Sequence, residues 1–288
     1  MKQILFDFWN FIKKPKDFQY SGNDKSYKWK VFFSLFIFNI LFSILFSGLV
    51  LIINELHPLE HKFSDLDLNP IILFLTTVLT VPFLEEVVFR LGLRRKGILK
   101  NLFSEEKWNR YFSKFAYLSV ITFALVHGSN FKFDSYLFIL AIPFLTISQF
   151  VSGFINTYLR VRFNFWMGYL FHAFWNFFAL LMVSFPNTIS PKVLNITKEK
   201  YQLEVKEKAL LNNLSAHTIL YSMNNDTIYQ LETKGLKTKT ILKTLDSTEM
   251  KYQPISEYID IHFTSKKGIS KDSLLILLGE HEYLKRRK

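Results

Sequence analysis

The sequence predicts a mainly α-helical, polytopic membrane bundle of about five spans, followed by a small C-terminal α+β soluble domain. Of its 288 residues, 49% are hydrophobic and 32 are Phe. Long apolar stretches alternate with short basic segments up to about residue 185, and the remainder is polar. This composition is too apolar for a soluble protein and too charged for spans alone, so it indicates both parts.

The N-terminal segment, residues 1–30, is predicted to be an amphipathic helix that lies at the membrane interface. Its aromatic run, Phe6–Trp9, is too short to span and lacks the small-residue cleavage site of a signal peptide. Residues 31–54 are nearly free of charge and predict the first span, since about 20 apolar residues suffice to cross a bilayer. With the polar outer loop 55–69 they form the segment 31–69.

A second segment, residues 70–185, is predicted to hold four further spans in one helical bundle. Pro70 precedes the second span, and Gly128 ends a short third span. The approximate limits of spans two to five are 71–89, 115–127, 135–159 and 163–185.

The distribution of basic residues predicts the orientation of these spans. Lys and Arg cluster before span one, between spans two and three, and between spans four and five. The alternate loops, 55–69 and 128–134, hold only Lys62 and Lys132. Cytoplasmic loops carry such an excess of positive charge. We therefore expect an integral membrane protein with a cytoplasmic N-terminus and an extracytoplasmic C-terminal domain.

The tail, residues 186–288, is predicted to be a small extramembrane α+β domain. Residues 227–233 and 258–264 partly alternate between apolar and polar, as half-buried strands do. Residues 236–245 and 270–278 have helical patterns. A strand followed by a helix is therefore expected twice.

Several function classes are disfavoured by composition. The chain contains no Cys, which excludes disulfides, thiolate chemistry and zinc fingers. It also lacks a Gly-x-Ser-x-Gly nucleophile elbow and a Gly-rich phosphate loop. The net charge of +12 is explained by membrane orientation, and no basic stripe with interleaved aromatic residues predicts a nucleic-acid partner.

The most informative stretch is Val81–Arg90, which places two adjacent carboxylates inside an apolar run. An ionisable residue inside a membrane segment costs roughly 2.5–3.5 kcal/mol on insertion scales, so it normally has a partner or a function. Glu86 and Arg90 are four residues apart and share a helix face, which allows them to pair. Glu85 lies about 100° away around the helix and has no local partner.

Two further motifs lie in the apolar segments: Phe123-x-x-x-His127 and His172-x-x-x-Asn176. Taken singly, each motif has a structural explanation, because a His on an apolar helix usually makes a structural hydrogen bond. Together, a carboxylate, two imidazoles and an amide suit hydrolysis. The carboxylate takes a proton from water, one His orients that water, and a His–Asn pair stabilises the oxyanion.

An alternative use of the same residues is a metal site. Glu85, His127 and His172 could together hold one divalent metal such as zinc, which would acidify a bound water.

The order and spacing of these motifs resemble the intramembrane endopeptidases of the CAAX-processing and bacteriocin-processing (CPBP, or Abi) family. The phrases that carry the resemblance are FLEEVVFRLGL, FALVHG and FHAFWNFF, and they fall within residues 70–185. The resemblance implies a membrane protease, a hydrolase that cleaves a peptide or protein substrate in or next to the bilayer. Some relatives take prenylated peptides, so a lipidated substrate is included in this expectation.

The resemblance also implies residue roles. Glu85 resembles the family's water-activating carboxylate, and Glu86 resembles its second acidic position. His127 resembles the water-positioning His, and His172 and Asn176 resemble the oxyanion-stabilising pair. The family is described both as metalloproteases and as metal-independent glutamate proteases, and both alternatives stay open for this sequence.

Two residues are expected to support these side chains. Arg90 resembles the Arg that braces the helix of the acidic pair, and Phe123 lies one turn before His127. The sequence departs from the family pattern after Arg90, because Leu91 precedes Gly92 where relatives often have Gly at once.

Two other functions remain as alternatives. The first is a non-catalytic immunity or partner-binding protein on the same scaffold, in which the motif residues are structural. The second is a carrier with a proton relay, which five spans without an internal repeat disfavour.

One geometric expectation concerns depth. At 1.5 Å per residue, Glu85 lies near the inner end of span two, whereas His127 closes a span that runs outward. We expect the two to meet only if span three is short and ends mid-membrane.

Overall fold

The computed structural model describes residues 1–22, 24–56, 62, 70–131, 136–209, 218–245 and 251–286. The predicted outer loop 55–69 lies almost wholly outside the described residues. The chain divides into two compact units. One comprises Met1–Leu66 and Phe74–Phe177, and the other comprises Asp67–Leu73 and Phe178–Lys288. A mainly helical membrane bundle and a small antiparallel sheet domain confirm the predicted fold class.

The described residues up to 189 are mainly helical. In chain order the elements are α1 (Lys2–Lys13), α2 (Lys25–Leu56), α3 (Pro70–Phe74), a π-helical segment (Leu75–Thr80), α4 (Val81–Arg90), α5 (Ile98–Leu102), α6 (Glu105–Gly128), α7 (Tyr136–Leu145), α8 (Ile147–Arg162) and α9 (Phe165–Ile189).

Within the described ranges, four helical segments are long and apolar enough to cross a membrane. They are Lys25–Glu55, Ile71–Arg90, Phe138–Arg162 and Phe165–Met182. They correspond to four of the five predicted spans. The remaining prediction, 115–127, lies inside α6, which begins ten residues earlier than expected and is not among the four. The physical reason is charge in its first half, namely Glu105, Glu106, Lys107, Arg110 and Lys114.

The predicted N-terminal amphipathic helix is α1, and one of its apolar faces packs on the bundle. Phe8 and Phe11 are buried, and their rings lie 5.6 and 5.2 Å from the ring of Tyr158 on α8. Phe6 and Trp9 on the same helix remain exposed. The helix therefore uses part of its apolar surface for protein contact and presents the rest outward.

The C-terminal end of α4 is fixed by side chains from α6 and α8. The hydroxyl of Ser119 donates to the carbonyl of Phe89 at 2.7 Å. Arg160 donates through Nε to the carbonyl of Arg90 and through Nη2 to that of Leu91, both at 3.1 Å. The last carbonyls of a helix have no partner within the helix. These donors therefore anchor the helix that carries the acidic pair.

The C-terminal end of α8 is held in the same way by an arginine that follows α4. Arg94 donates to the carbonyls of Phe163 and Arg160, at 3.3 and 3.5 Å, and also to that of Val161. Burial lowers the pKa of the Arg94 guanidinium, and the carboxylate of Asp17, 3.9 Å from its Nε, opposes that shift. Arg160 of α8 thus caps the end of α4, and Arg94, just after α4, caps the end of α8.

In the described part of the tail, most strands form one antiparallel sheet. The elements in chain order are β1 (Val193–Lys198), β2 (Tyr201–Lys208), β3 (Thr218–Asn224), β4 (Thr227–Lys234), α10 (Thr238–Leu245), β5 (Tyr252–Pro254), β6 (Tyr258–Ser270), α11 (Lys271–Glu280) and β7 (Leu284–Arg286). The main sheet has the order β1-β2-β6-β4-β3, and β5 pairs with β7.

The apolar face of this sheet forms the core of the domain with the two helices. Val205, Leu231 and Phe263 from the strands are fully buried with Ile241 of α10 and Leu274 of α11. The two predicted strands are β4 and β6, and the two predicted helices are α10 and α11. The strand–helix succession was therefore predicted correctly, whereas β1, β2, β3, β5 and β7 were not predicted.

Candidate active site

The site begins with the buried carboxylate of Glu86. Its Oε1 lies 2.9 Å from Nη1 of Arg90, one turn along α4, and 3.0 Å from Nδ1 of His172 on α9. All three side chains are buried. A side chain at Gly168 would come within 3.4 Å of the other oxygen, Oε2. A buried charge is tolerated only when it is paired and hydrogen-bonded. Arg90 of α4 and His172 of α9 together meet this need, so Glu86 links the two helices.

Glu85 faces the two imidazoles. Its Oε2 lies 3.3 Å from Nε2 of His172, and its Oε1 lies 3.9 Å from Nε2 of His127. The Nδ1 of His172 donates its hydrogen to Glu86, since a carboxylate only accepts. The Nδ1 of His127 likewise donates to the carbonyl of Phe123 at 2.9 Å. In both imidazoles Nδ1 is already hydrogen-bonded, and the other ring nitrogen, Nε2, lies towards Glu85.

The two adjacent carboxylates differ in their access to solvent. The side chain of Glu85 is 20% exposed and that of His127 is 22% exposed, whereas the side chain of Glu86 is fully buried and that of His172 is 5% exposed. Glu85 and His127 consequently form the accessible side of the site. Glu86 forms its sealed side and orients His172 from behind.

Phe123 forms a common wall behind both imidazoles. Its ring centroid lies 4.5 Å from that of His127 and 5.6 Å from that of His172. The guanidinium of Arg90 lies over the same ring at 3.8 Å, a cation–π distance. Gly153 of α8 permits this packing, because a Cβ there would lie 3.2 Å from the Phe123 ring and 3.4 Å from Nη2 of Arg90.

Asn176 follows His172 by one turn of α9 and is held against the chain that precedes α4. Its amide nitrogen donates to the carbonyl of Thr77 at 2.9 Å. Thr77 belongs to the π-helical segment Leu75–Thr80. Single π-helical turns inside α-helices are frequent at functional sites. The structure thus brings His127 and His172 to the two carboxylate oxygens of Glu85, and Asn176 is held on the same helix as His172.

Helix α6 has 24 residues, and its apolar second half corresponds to the short third span, whose depth in the membrane stays a prediction. The expected meeting is found, with Nε2 of His127 3.9 Å from Oε1 of Glu85. The reason is that α6 passes the end of α4 near its own middle, where Ser119 bonds to Phe89. The two turns that remain bring His127 level with Glu85.

A metal ion is not supported by this arrangement. Over the described ranges, no group of three or more His, Asp, Glu or Cys side chains is placed to hold a metal ion. The expected set of Glu85, His127 and His172 is not among such groups, so metal dependence stays a prediction.

Several supporting residues were missed by sequence reasoning. Arg160 and Arg94 were interpreted only as loop charges, although their main contacts are helix ends. Gly153 and Gly168 did carry a signal, because small residues inside membrane helices commonly allow helices to approach closely.

The buried pair makes a prediction about stability. Replacement of Arg90 by Ala leaves the Glu86 carboxylate buried without its main partner, so we expect a loss of about 3–5 kcal/mol in unfolding free energy. The matched control is Arg110→Ala, which breaks a Glu106–Arg110 pair of similar length, 2.8 Å, whose side chains are 81% and 63% exposed. That change should cost less than about 1 kcal/mol. Unfolding in mixed micelles measures both, and equal losses would contradict the assignment.

Comparison with known proteins agrees with this geometry. Residues 67–178 match the family described as Type II CAAX prenyl endopeptidase Rce1-like. No curated protein and no solved structure matches the chain. The matched segment contains all three motifs, including Glu85, His127 and His172. The predicted resemblance is confirmed over residues 67–178, which match the Rce1-like type II CAAX prenyl endopeptidases, a family of intramembrane proteases.

Proposed function

We propose that this protein is an intramembrane endopeptidase in which Glu85 activates water for attack on a peptide bond in or next to the bilayer. The observation that carries the proposal is the meeting of Glu85 with Nε2 of both His127 and His172 on the accessible side of the site. The family match over residues 67–178 supports the reaction class, and the unequal burial of the two glutamates supports the choice of Glu85 over Glu86.

The first step is proton abstraction. A water held between Glu85 and His127 loses a proton to the Glu85 carboxylate, and the resulting hydroxide attacks the carbonyl carbon of the scissile bond. A new C–O bond forms, and the carbonyl π electrons move to oxygen. The imidazole of His127 orients the water, because its Nδ1 is fixed by the carbonyl of Phe123 and its Nε2 is turned towards the site.

The second step is stabilisation and collapse of the oxyanion. A doubly protonated His172 donates through Nδ1 to Glu86 and through Nε2 to the oxyanion. The amide of Asn176 has two hydrogens, of which one is given to Thr77 and the other is available to the same oxyanion. The C–N bond then breaks, and the proton on Glu85 passes to the departing amine. The products are a carboxylic acid and an amine, the proton of the acid then passes to the amine to give a carboxylate and an ammonium group, and Glu85 is regenerated as a carboxylate.

The substrate class that best fits is a membrane-associated peptide or protein, with a lipidated C-terminal peptide as the first candidate. This rests on the family, whose description names prenyl endopeptidases. Exposed apolar residues on α4 and α9, such as Leu84 and Trp166, favour a substrate that is itself in contact with lipid.

The variant Glu85→Gln should lose peptide cleavage. The amide cannot take the proton from water, so we expect kcat to fall by about 10²–10⁴-fold with little change in thermal stability. Purified protein in detergent would be assayed on matched fluorogenic peptides with and without a prenyl group. The control variant is Glu106→Gln, at an exposed position on α6. Equal turnover by Glu85→Gln and wild type would exclude Glu85 as the base, and no cleavage by wild type would favour the non-catalytic alternative.

Cleavage should also be insensitive to chelation. Because the proposed chemistry uses only the carboxylate, imidazole and amide groups, prolonged treatment with a strong zinc chelator should leave the rate within about twofold of the untreated enzyme. Metal analysis of the purified protein is the companion measurement. Loss of activity that returns on addition of zinc would replace this mechanism with the metal alternative.

We further propose a cytoplasmic N-terminus and an extracytoplasmic C-terminal domain. This requires the apolar second half of α6 to cross the membrane in addition to the four segments of sufficient length and hydropathy. The basic segment between α4 and α6 supports this orientation. A topology reporter fused after Lys288, paired with one fused before Met1, should report opposite sides. A cytoplasmic signal from both would leave α6 outside the membrane.

A further inference from the structure

A cavity lies away from the motifs, between α1, the segment that follows it and the last turn of α8. Its volume is about 390 Å³, within the range typical of small-ligand sites. Lys14, Lys16 and Arg162 contribute three positive charges to its lining, and Asp7 contributes one negative charge. The balance of charge around the cavity is therefore positive.

The guanidinium of Arg162 is surrounded by aromatic rings but not fully hydrogen-bonded. It lies 5.5–6.0 Å from the ring centroids of Phe18, Tyr20, Tyr27 and Tyr158, and its Nη2 donates to the hydroxyl of Tyr27 at 3.0 Å. Its Nε is buried and has no hydrogen-bond partner within the described part of the chain.

Tyr158, which also lines the cavity, carries a second unsatisfied group. The residue is only 4% exposed, and its buried hydroxyl has no hydrogen-bond partner among the residues that the structure describes. Buried polar atoms in folded proteins are nearly always paired, so two unpaired donors in the lining of one cationic cavity indicate a ligand with acceptor oxygens.

The position of the cavity relates it to the membrane surface. Arg162 is the last residue of the candidate span Phe138–Arg162. On α1, Phe6 and Trp9 are exposed beside the lining residue Asp7. Aromatic residues and basic residues at the end of a span are typical of the depth at which lipid headgroups lie.

We propose that this cavity binds the phosphodiester headgroup of an anionic phospholipid with a polyol headgroup, such as phosphatidylglycerol. The phosphate oxygens accept from Arg162, Lys14 and Lys16 and from the hydroxyl of Tyr158. The carboxylate of Asp7, whose Oδ1 accepts from Gln3 at 2.8 Å, receives the headgroup hydroxyls. The lipid thereby joins α1 to α8. This site is independent of the proposed peptidase chemistry.

The test uses the full-length protein purified in an uncharged detergent, with short-chain phosphatidylglycerol as probe. We expect a rise in the thermal unfolding midpoint and one bound phosphatidylglycerol by native mass spectrometry. Short-chain phosphatidylcholine and inorganic phosphate at the same concentration should give neither. In the double variant Lys14→Gln/Lys16→Gln the dissociation constant should rise about tenfold. In Tyr158→Phe, which keeps the ring, it should rise about fivefold.

The matched control is Lys2→Gln/Lys13→Gln, which removes the same charge from exposed positions of α1 that do not line the cavity. Its affinity should stay within about twofold of wild type, since only general attraction to the surface is changed. Equal weakening in the two double variants would overturn the site. So would equal binding of phosphatidylcholine, and an equal response to inorganic phosphate would overturn the lipid as its ligand.

Discussion

The candidate site depends on one buried ionic group, the carboxylate of Glu86 between Arg90 and His172. An uncompensated charge in this interior would cost several kcal/mol, so the three side chains must be packed together. Their distances, 2.9 and 3.0 Å, show that they are. Because successive residues of a helix differ by about 100°, holding Glu86 also determines the direction of Glu85. Two identical neighbouring residues thereby acquire different environments, one sealed and ionic, the other accessible and facing two imidazoles.

Side chains around this group hold the ends of α4 and α8 in fixed positions relative to each other. Arg160 of α8 bonds to the last carbonyls of α4, and Arg94, just after α4, bonds to those of α8. Ser119 adds a third tie from α6. The contacts to Phe89, Arg90 and Leu91 lie within two helical turns of Glu85. Because Ser119 holds the middle of α6 at the end of α4, His127 two turns later reaches Glu85.

Sequence reasoning reached the features that depend on local spacing. The Glu86–Arg90 pair follows from an i,i+4 relation, and four candidate spans follow from apolar runs of sufficient length with few charges. Sequence reasoning did not predict contacts between distant segments, such as those of Arg160 or Gly168, because the residues next to them in the sequence do not indicate which segment they will contact.

The tail shows the same division between local and distant information. Strands β4 and β6 have alternating patterns because they lie inside the sheet. Strand β3 lies at its edge and exposes Leu220 and Tyr221, so its apolar residues do not alternate. Strand β2 does carry the alternating signal, with Leu203 and Val205 buried between polar and charged residues, and it could have been predicted.

The central claim is that Glu86 holds the fold of the site and Glu85 performs its chemistry. Its most direct test compares the unfolding free energies of Glu85→Gln and Glu86→Gln in the same mixed micelles. Glu86→Gln should lose about 3–5 kcal/mol, because it leaves Arg90 buried without its counter-charge. Glu85→Gln should stay within about 1 kcal/mol of wild type, because its carboxylate is partly exposed. Similar losses in both variants, or a larger loss in Glu85→Gln, would contradict this division of roles.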